Sequence, residues 1–201
     1  MVVVSPPPHA DTASIVPVEQ TLELSLDPRR GEWHGTLGAT LRVRREARDI
    51  VLCFAGPTVT RVEMTDDTGR VDLVWGARGA DSLLIETRRP LRPGRAELAV
   101  SFEGNDAGGP AAFVRDGAAT RIALVHGAGR VFPAWTGAPP ATRWNLILHV
   151  PAGFVARSNL ARSSVVPVKG WNTFTDRSRT ALRADELRFR VEPVRVRARV
   201  R

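Results

Sequence analysis

The chain of 201 residues has one cysteine, Cys53, and no tyrosine. A lone thiol excludes an internal disulfide framework and any cysteine-rich zinc site. Lysine is nearly missing too: of 29 basic residues, only Lys169 is not arginine. The four histidines are His9, His34, His126 and His149. No two of them stand at i,i+4, and H-E-x-x-H is absent, so no metal motif is written in the chain. No G-x-S-x-G nucleophile elbow occurs. No apolar run approaches the roughly 18 residues of a membrane-spanning helix. The opening MVVVSPPPHADTAS has no basic segment, and its apolar run stops at Val4. It does not read as a secretory signal, and a cytoplasmic location is the expectation. No stretch carries a 3.6-residue apolar stripe over three turns. No cofactor or metal is expected.

What is present is an apolar, basic, strand-like chain. Apolar residues make up 43%, and 29 basic against 21 acidic residues leave a net charge of +8. A chain this long and apolar buries a sizeable core without staples. Period-two alternation runs almost throughout: Leu22, Leu24 and Leu26; Leu37, Ala39, Leu41 and Val43; Trp144, Leu146, Leu148 and Val150; Leu187, Phe189 and Val191. Ile50–Phe54 is a continuous apolar run suited to a central strand. Asp27–Gly31 and Pro90–Gly94 read as turns. Thr65–Arg70 reads as the turn of a hairpin between Thr58–Met64 and Val71–Trp75. Ser82–Thr87, Ala96–Phe102 and Ile122–Val125 are further strands. The fold class is all-β: a β-sandwich, or saddle-like curved antiparallel sheets. Residues 1–17 read as a flexible arm and 18–201 as a single β domain.

Catalytic constellations are thin. Cys53, inside Ile50–Phe54, reads as a buried small hydrophobe rather than a reactive thiolate. His126-Gly-Ala-Gly-Arg130 is a lone G-x-G without a following helix, and marks a close backbone approach. Glu19, Glu23, Glu32, Glu86, Glu97, Glu103, Asp116, Asp185 and Glu186 are scattered, and nothing pairs any two as acid and base. The last stretch alternates Val194, Val196, Ala198 and Val200 with Arg195, Arg197, Arg199 and Arg201. Such a row is either the solvated guard of an edge strand or a clamp for an acidic partner. Arginine replacing lysine almost everywhere reads as a coding bias rather than a nucleic-acid signature, and no nucleic-acid or membrane partner is expected.

The stretch Thr120–Asn159, TRIALVHGAGRVFPAWTGAPPATRWNLILHVPAGFVARSN, resembles a segment in the N-terminal β domain of aminopeptidase N-type (gluzincin) zinc metallopeptidases. In that family A-R-x-x-F-P-C-[FW]-D-E-P is followed by a K-A-x-F strand, a V-P turn and S-N. Ala128, Phe132, Pro133 and Trp135 match without gaps; Trp144, Val150-Pro151 and Ser158-Asn159 also fall in place. The opening leucine strand, the Asp27–Gly31 turn, PLRPG at 90–94, Gly170-Trp171 and Asp185–Pro193 resemble the rest of that domain. The departures are instructive. Ala134-Trp-Thr-Gly-Ala138 replaces C-x-D-E-P, and Gly129 replaces the arginine. Leu124 stands where the family grips the substrate amine, which an alkyl group cannot do. The family's zinc and G-A-M-E-N motifs belong to a further domain.

The resemblance implies a non-catalytic accessory or interaction domain, packing against a catalytic peptidase-like domain or another protein. The chain ends in mid-strand pattern, as if a domain followed. An alternative is a small β-fold enzyme or ligand binder using an apolar pocket, with tryptophans as walls and His126, Arg130 or Asp116 for polar work. A third reading is a polyanion-binding basic surface. The candidate partner or ligand surface is His126, Arg130, Trp135, Arg195, Arg197, Arg199 and Arg201; of these, Trp135 reads more readily as a core residue.

Overall fold

The computed structural model describes residues 14–105, 113–116, 119–124, 128–135 and 141–194. The strands are β1 (Ile15–Asp27), β2 (Glu32–Val43), β3 (Ala47–Cys53), β4 (Thr58–Asp66), β5 (Gly69–Arg70), β6 (Leu73–Ala77), β7 (Ser82–Leu91), β8 (Gly94–Asn105), β9 (Phe113–Asp116) and β10 (Ala119–Leu124). They continue with β11 (Ala134–Trp135), β12 (Arg143–Pro151), β13 (Phe154–Ser158), β14 (Ala161–Val168), β15 (Trp171–Arg177) and β16 (Phe189–Pro193). Two single 3-10 turns, Ala128–Arg130 and Ala184–Glu186, are the helical elements among the described residues.

Three open sheets result. The large one has eight strands in the order β14-β15-β12-β1-β2-β8-β4-β5. Two four-stranded sheets run β13-β16-β10-β9 and β11-β3-β7-β6. Among the described residues all strand pairings are antiparallel except β1 with β12, which run parallel with Leu22 beside Leu146 and Leu24 beside Leu148. The all-β, sandwich-like reading of the sequence holds.

Alternation explains the packing. Leu22, Leu24 and Leu26 of β1, Leu37, Ala39 and Leu41 of β2, and Trp144, Leu146, Leu148 and Val150 of β12 are all buried. They join Ile50, Leu52, Leu83 and Ile85 of the β3–β7 sheet and Phe154, Phe189 and Val191 of the β13–β16 sheet in one core cluster. Residues of the opposite parity on the large sheet face solvent.

Two expectations need correction. Strand β1 begins at Ile15, and Ile15–Pro17 pair with Val43–Leu41, so these three residues belong to the sheet and not to an arm. The hairpin at Thr65–Arg70 is far shorter than expected. Its return arm is β5, pairing Arg70 with Thr65 and Gly69 with Asp66. Val71 is buried, and the chain then leaves for another sheet, where β6 pairs with β7. Leu73, Trp75 and Ala77 find Thr87, Ile85 and Leu83 there, an apolar companion that β4 does not offer. The sequence reading also passed over β13 to β15. Strand β14, ARSSVVPV, is exposed along nearly its whole length, so no alternation marks it.

Candidate functional site

Residues 128–135, the heart of the family resemblance, pack against β3 and the core. Val131 and Phe132 donate backbone hydrogen bonds to Ala128 O at 2.9 and 3.0 Å, closing the 3-10 turn. Gly129 inside it is pressed against β3. A Cβ there would lie 2.6 Å from Cys53 Sγ and 3.0 Å from Cys53 O. Ala55 N–H donates to Gly129 O at 2.8 Å. The glycine that replaces the family's arginine thus has a local cause: no side chain fits beneath Cys53.

Beyond the turn, Val131 and Phe132 are fully buried. Trp33 Nε1 donates to Val131 O at 3.2 Å. The ring of Phe132 meets Trp144 edge-on at 5.9 Å, a favoured aromatic geometry. Strand β11 then lays Ala134 and Trp135 against Cys53 and Leu52. Trp135 is 7% exposed, and its Nε1–H donates to Gln20 Oε1 at 3.0 Å. Gln20 in turn donates from Nε2 to Thr142 Oγ1 at 2.7 Å. The placement of Trp135 on a partner or ligand surface is therefore corrected. Its indole is in the core, because its polar handle finds the amide of Gln20 there.

Ser158 and Asn159 are structural in the same way. Ser158 Oγ donates to Asp176 Oδ2 at 2.5 Å and accepts from Leu160 N–H. Asp176 is 1% exposed, and Arg162 neutralises it through paired contacts to both carboxylate oxygens. The Arg162 guanidinium lies 4.7 Å from the centre of the Phe174 ring and also donates to Ala156 O at 2.7 Å. Asn159 holds the opposite side: Oδ1 accepts from Arg188 N–H at 2.9 Å and Nδ2 donates to Glu186 O at 2.9 Å. Ser158 thus ties the end of β13 to β15, and Asn159 ties it to the segment leading into β16.

Among the other candidates, Arg130 is half-buried at the end of the 3-10 turn. Asp116 ends β9 opposite Ala119, and Leu124 ends β10 opposite Phe113. His126, Arg195, Arg197, Arg199 and Arg201 lie outside the described residues. Cys53 is half-buried, and burial, with Asp81 nearby, pushes its thiol pKa up. That keeps it protonated, the opposite of a nucleophilic thiolate. His149 sits with Nδ1 2.9 Å from Thr173 Oγ1 and Nε2 2.8 Å from Glu23 Oε1, and His34 is exposed on β2. Among the described residues no three of His, Cys, Asp and Glu converge on a metal position.

Three of the five tryptophans belong to the core: Trp33, Trp135 and Trp144 are buried, Trp144 Nε1 donating to Leu182 O at 3.0 Å, while Trp75 and Trp171 are exposed. Of two open depressions on the surface, the larger, about 600 Å³, lies on the outer face of the eight-stranded sheet. Its floor is Thr21, Gly38 and Ala99, side by side in register, and its rim is Glu19, Glu63, Glu97 and Arg70. The smaller, about 360 Å³, surrounds Asp66, Arg89 and Arg92.

Sequence reasoning missed Gln20 and Asp176. Both stand at core parity, Gln20 in line with Leu22 and Leu24, and Asp176 in line with Phe174. A polar residue on an apolar face was the available signal.

No protein-family model matches the chain, and no curated protein does. Solved structures do match. A mutant M1 zinc metallopeptidase from Deinococcus radiodurans, bound to a Tyr-Ser-Ala substrate, superposes with a TM-score of 0.73 at 23% identity, over 90% of this chain and 43% of that one. The M1 zinc metallopeptidase from the same organism gives 0.73 at 22% identity, over 90% of this chain and 42% of that one. A two-domain M1 zinc metallopeptidase mutant bound to L-arginine gives 0.73 at 22%, with 90% and 43% covered. Among the described residues no helix is long and apolar enough to cross a membrane. The chain has the fold of one part of the M1 zinc metallopeptidases and spans less than half of their length.

Proposed function

We propose that this chain is a non-catalytic β domain of the kind found at the N-terminus of M1 zinc metallopeptidases, and that it works by packing against a catalytic domain or another protein. One observation carries the reading. The segment that supplies the family's recognisable motif is spent on architecture here: residues 128–135, apart from the half-buried Arg130, are buried, and the Trp135 indole bonds to Gln20. The 43% coverage of the similar two-domain enzyme supports a role as one half of a larger assembly. The arginine row Arg195, Arg197, Arg199 and Arg201 is the proposed docking edge. The single free thiol suits a reducing compartment, and the cytoplasm is the proposed location.

The 201-residue chain, assayed with added zinc against aminoacyl anilides and short peptides, should show no turnover above buffer. Zinc-dependent turnover that disappears with chelator and returns with metal overturns the reading. Sequencing the gene beyond the last codon and its neighbours should reveal an H-E-x-x-H domain. Charge reversal of the four arginines should then weaken binding of that domain without shifting the melting temperature.

A further inference from the structure

The large sheet and the β11-β3-β7-β6 sheet end in exposed strands of contrasting chemistry. On β14 the edge exposes Val165, Val166 and Val168 but is guarded in its backbone: Pro167 offers no N–H, and a bulge lies between Arg162 and Ser164. Strand β6 reads Leu73-Val-Trp-Gly-Ala77, with no proline, charge or bulge. Val74 and Trp75 are 47% and 43% exposed. Among the described residues no strand pairs with its outer edge. An apolar unguarded edge is a template for another strand.

The ladder fixes which backbone groups point outward. Arg78 N–H donates to Ser82 O at 2.7 Å, and Arg88 N–H donates to Asp72 O at 2.9 Å. Bonding therefore alternates along β6, with residues 72, 74, 76 and 78 turned toward β7. The N–H and C=O groups of Leu73, Trp75 and Ala77 face the open edge. These three residues also share the side-chain face of Thr87, Ile85 and Leu83, which are buried.

We infer that β6 is a self-association edge: a second copy of this chain pairs with it antiparallel about a two-fold axis through Trp75. In that register all three outward residues pair, Leu73 with Ala77 of the second copy and Trp75 with its own equivalent. Moving the axis by one residue leaves fewer of them paired. Two further features select this register. Asp72 and Arg78, exposed at the two ends of the strand, have no ion pair among the described residues. About the Trp75 axis Asp72 of one copy lies opposite Arg78 of the other, twice, at non-hydrogen-bonded sites where side chains approach closest. Val74 falls opposite Gly76, where an added Cβ would meet nothing within 4 Å. The interface is self-complementary, as two-fold symmetry requires. It merges two four-stranded sheets into one of eight strands. The inference is independent of the proposed peptidase-domain role.

Sedimentation velocity on the 201-residue chain from about 10 μM to about 1 mM, a range suited to a small interface, is the test. Concentration-dependent dimerisation is expected. Asp72→Arg and Arg78→Asp should each weaken it about tenfold, since each sets like charges opposite one another at two places. The double swap should return it to near the wild-type value. Val166→Lys on the guarded β14 edge should leave it unchanged. Thermal melts of all variants, taken at the dilute end of the range, should coincide, because the residues are exposed and the dimer adds no stability there. A monomer at every concentration, single swaps without effect, a double swap no better than the singles, or loss of the dimer on Val166→Lys each overturns the inference.

Discussion

The 128–135 segment and the outer face of the eight-stranded sheet both hold polar chemistry, with opposite energetic weight. In the first, the polar side chains pair with one another inside the core: the Trp135 indole donates to Gln20, and Gln20 donates to Thr142. On the outer face, Glu97 pairs with Arg95 at 2.8 Å and Glu63 with Arg61 at 2.7 Å, all in contact with solvent. Exposed pairs of this kind contribute between zero and about 1 kcal/mol each. A buried group deprived of its partner costs about 1–3 kcal/mol. The family-like motif is therefore where substitutions should unfold the molecule, and the outer face is where they should not.

The largest effect is expected from Trp135→Ala. Emptying a buried indole site costs about 3–5 kcal/mol, and at this chain length the melting temperature should fall by roughly 10 °C. Trp135→Phe keeps most of the volume and removes the donor to Gln20, so it should cost about 1–3 kcal/mol. Urea unfolding of the two variants separates cavity from hydrogen bond. A Trp135→Ala protein as stable as wild type would move this residue from the core back to the surface and erase the contrast.

Asp176→Asn comes next. Arg162 would keep its charge without a carboxylate beneath it. Because its side chain is 35% exposed, the loss should sit below the usual range for a broken buried pair, at about 2–3 kcal/mol. The matched substitution outside is Glu63→Gln, expected to stay within about 0.5 kcal/mol. Equal losses at the two sites would show that burial does not set the difference.

Gly129→Arg restores the family's residue and should destabilise by about 1–3 kcal/mol through overpacking. Cys53→Ala in the same chain should recover part of the loss. The added Cβ meets Cys53 Sγ at 2.6 Å but also the Cys53 backbone at 3.0 and 3.1 Å, so recovery is incomplete. Full recovery would mean that the thiol alone had excluded a side chain.

The same contrast explains what was legible in the sequence. Strands with one wet face announced themselves: Leu22, Leu24 and Leu26 alternate because Glu23 and Ser25 face water. The motif residues were also legible, though as a resemblance rather than as chemistry, since nothing in A-G-R-V-F-P-A-W says whether its tryptophan points inward. That depends on Gln20, more than a hundred residues earlier in the chain, and on a parallel β1–β12 pairing that no local pattern specifies. Strand β14 was illegible for the opposite reason, since an edge strand with almost no buried residue has no period to read. The hairpin at residues 65–70 was over-read because Val71 and Leu73 have the apolar character of a return arm; Val71 does bond back to Met64, but Leu73 has its companion on β7.

Asp66 stands between the two regions, and its acid titration offers the smallest and most selective test. Its side chain is 12% exposed beside the half-open Arg89, 2.7 Å away. Burial pushes the carboxyl upward. Hydrogen bonds from the Thr68 hydroxyl and backbone N–H, together with Arg89, outweigh it and hold the carboxyl below its ordinary value. A carboxylate with a lowered folded-state pKa adds stability that is fully present above the unfolded value of about 4 and disappears as pH falls through the folded one. The wild type should therefore lose stability more steeply than Asp66→Asn on going from pH 5 to strongly acid solution, the two converging at the acid end. Urea midpoints measured along that range decide it. If the two curves stay parallel, the Thr68 and Arg89 contacts add no stability that acid removes, and Asp66 drops out of the comparison.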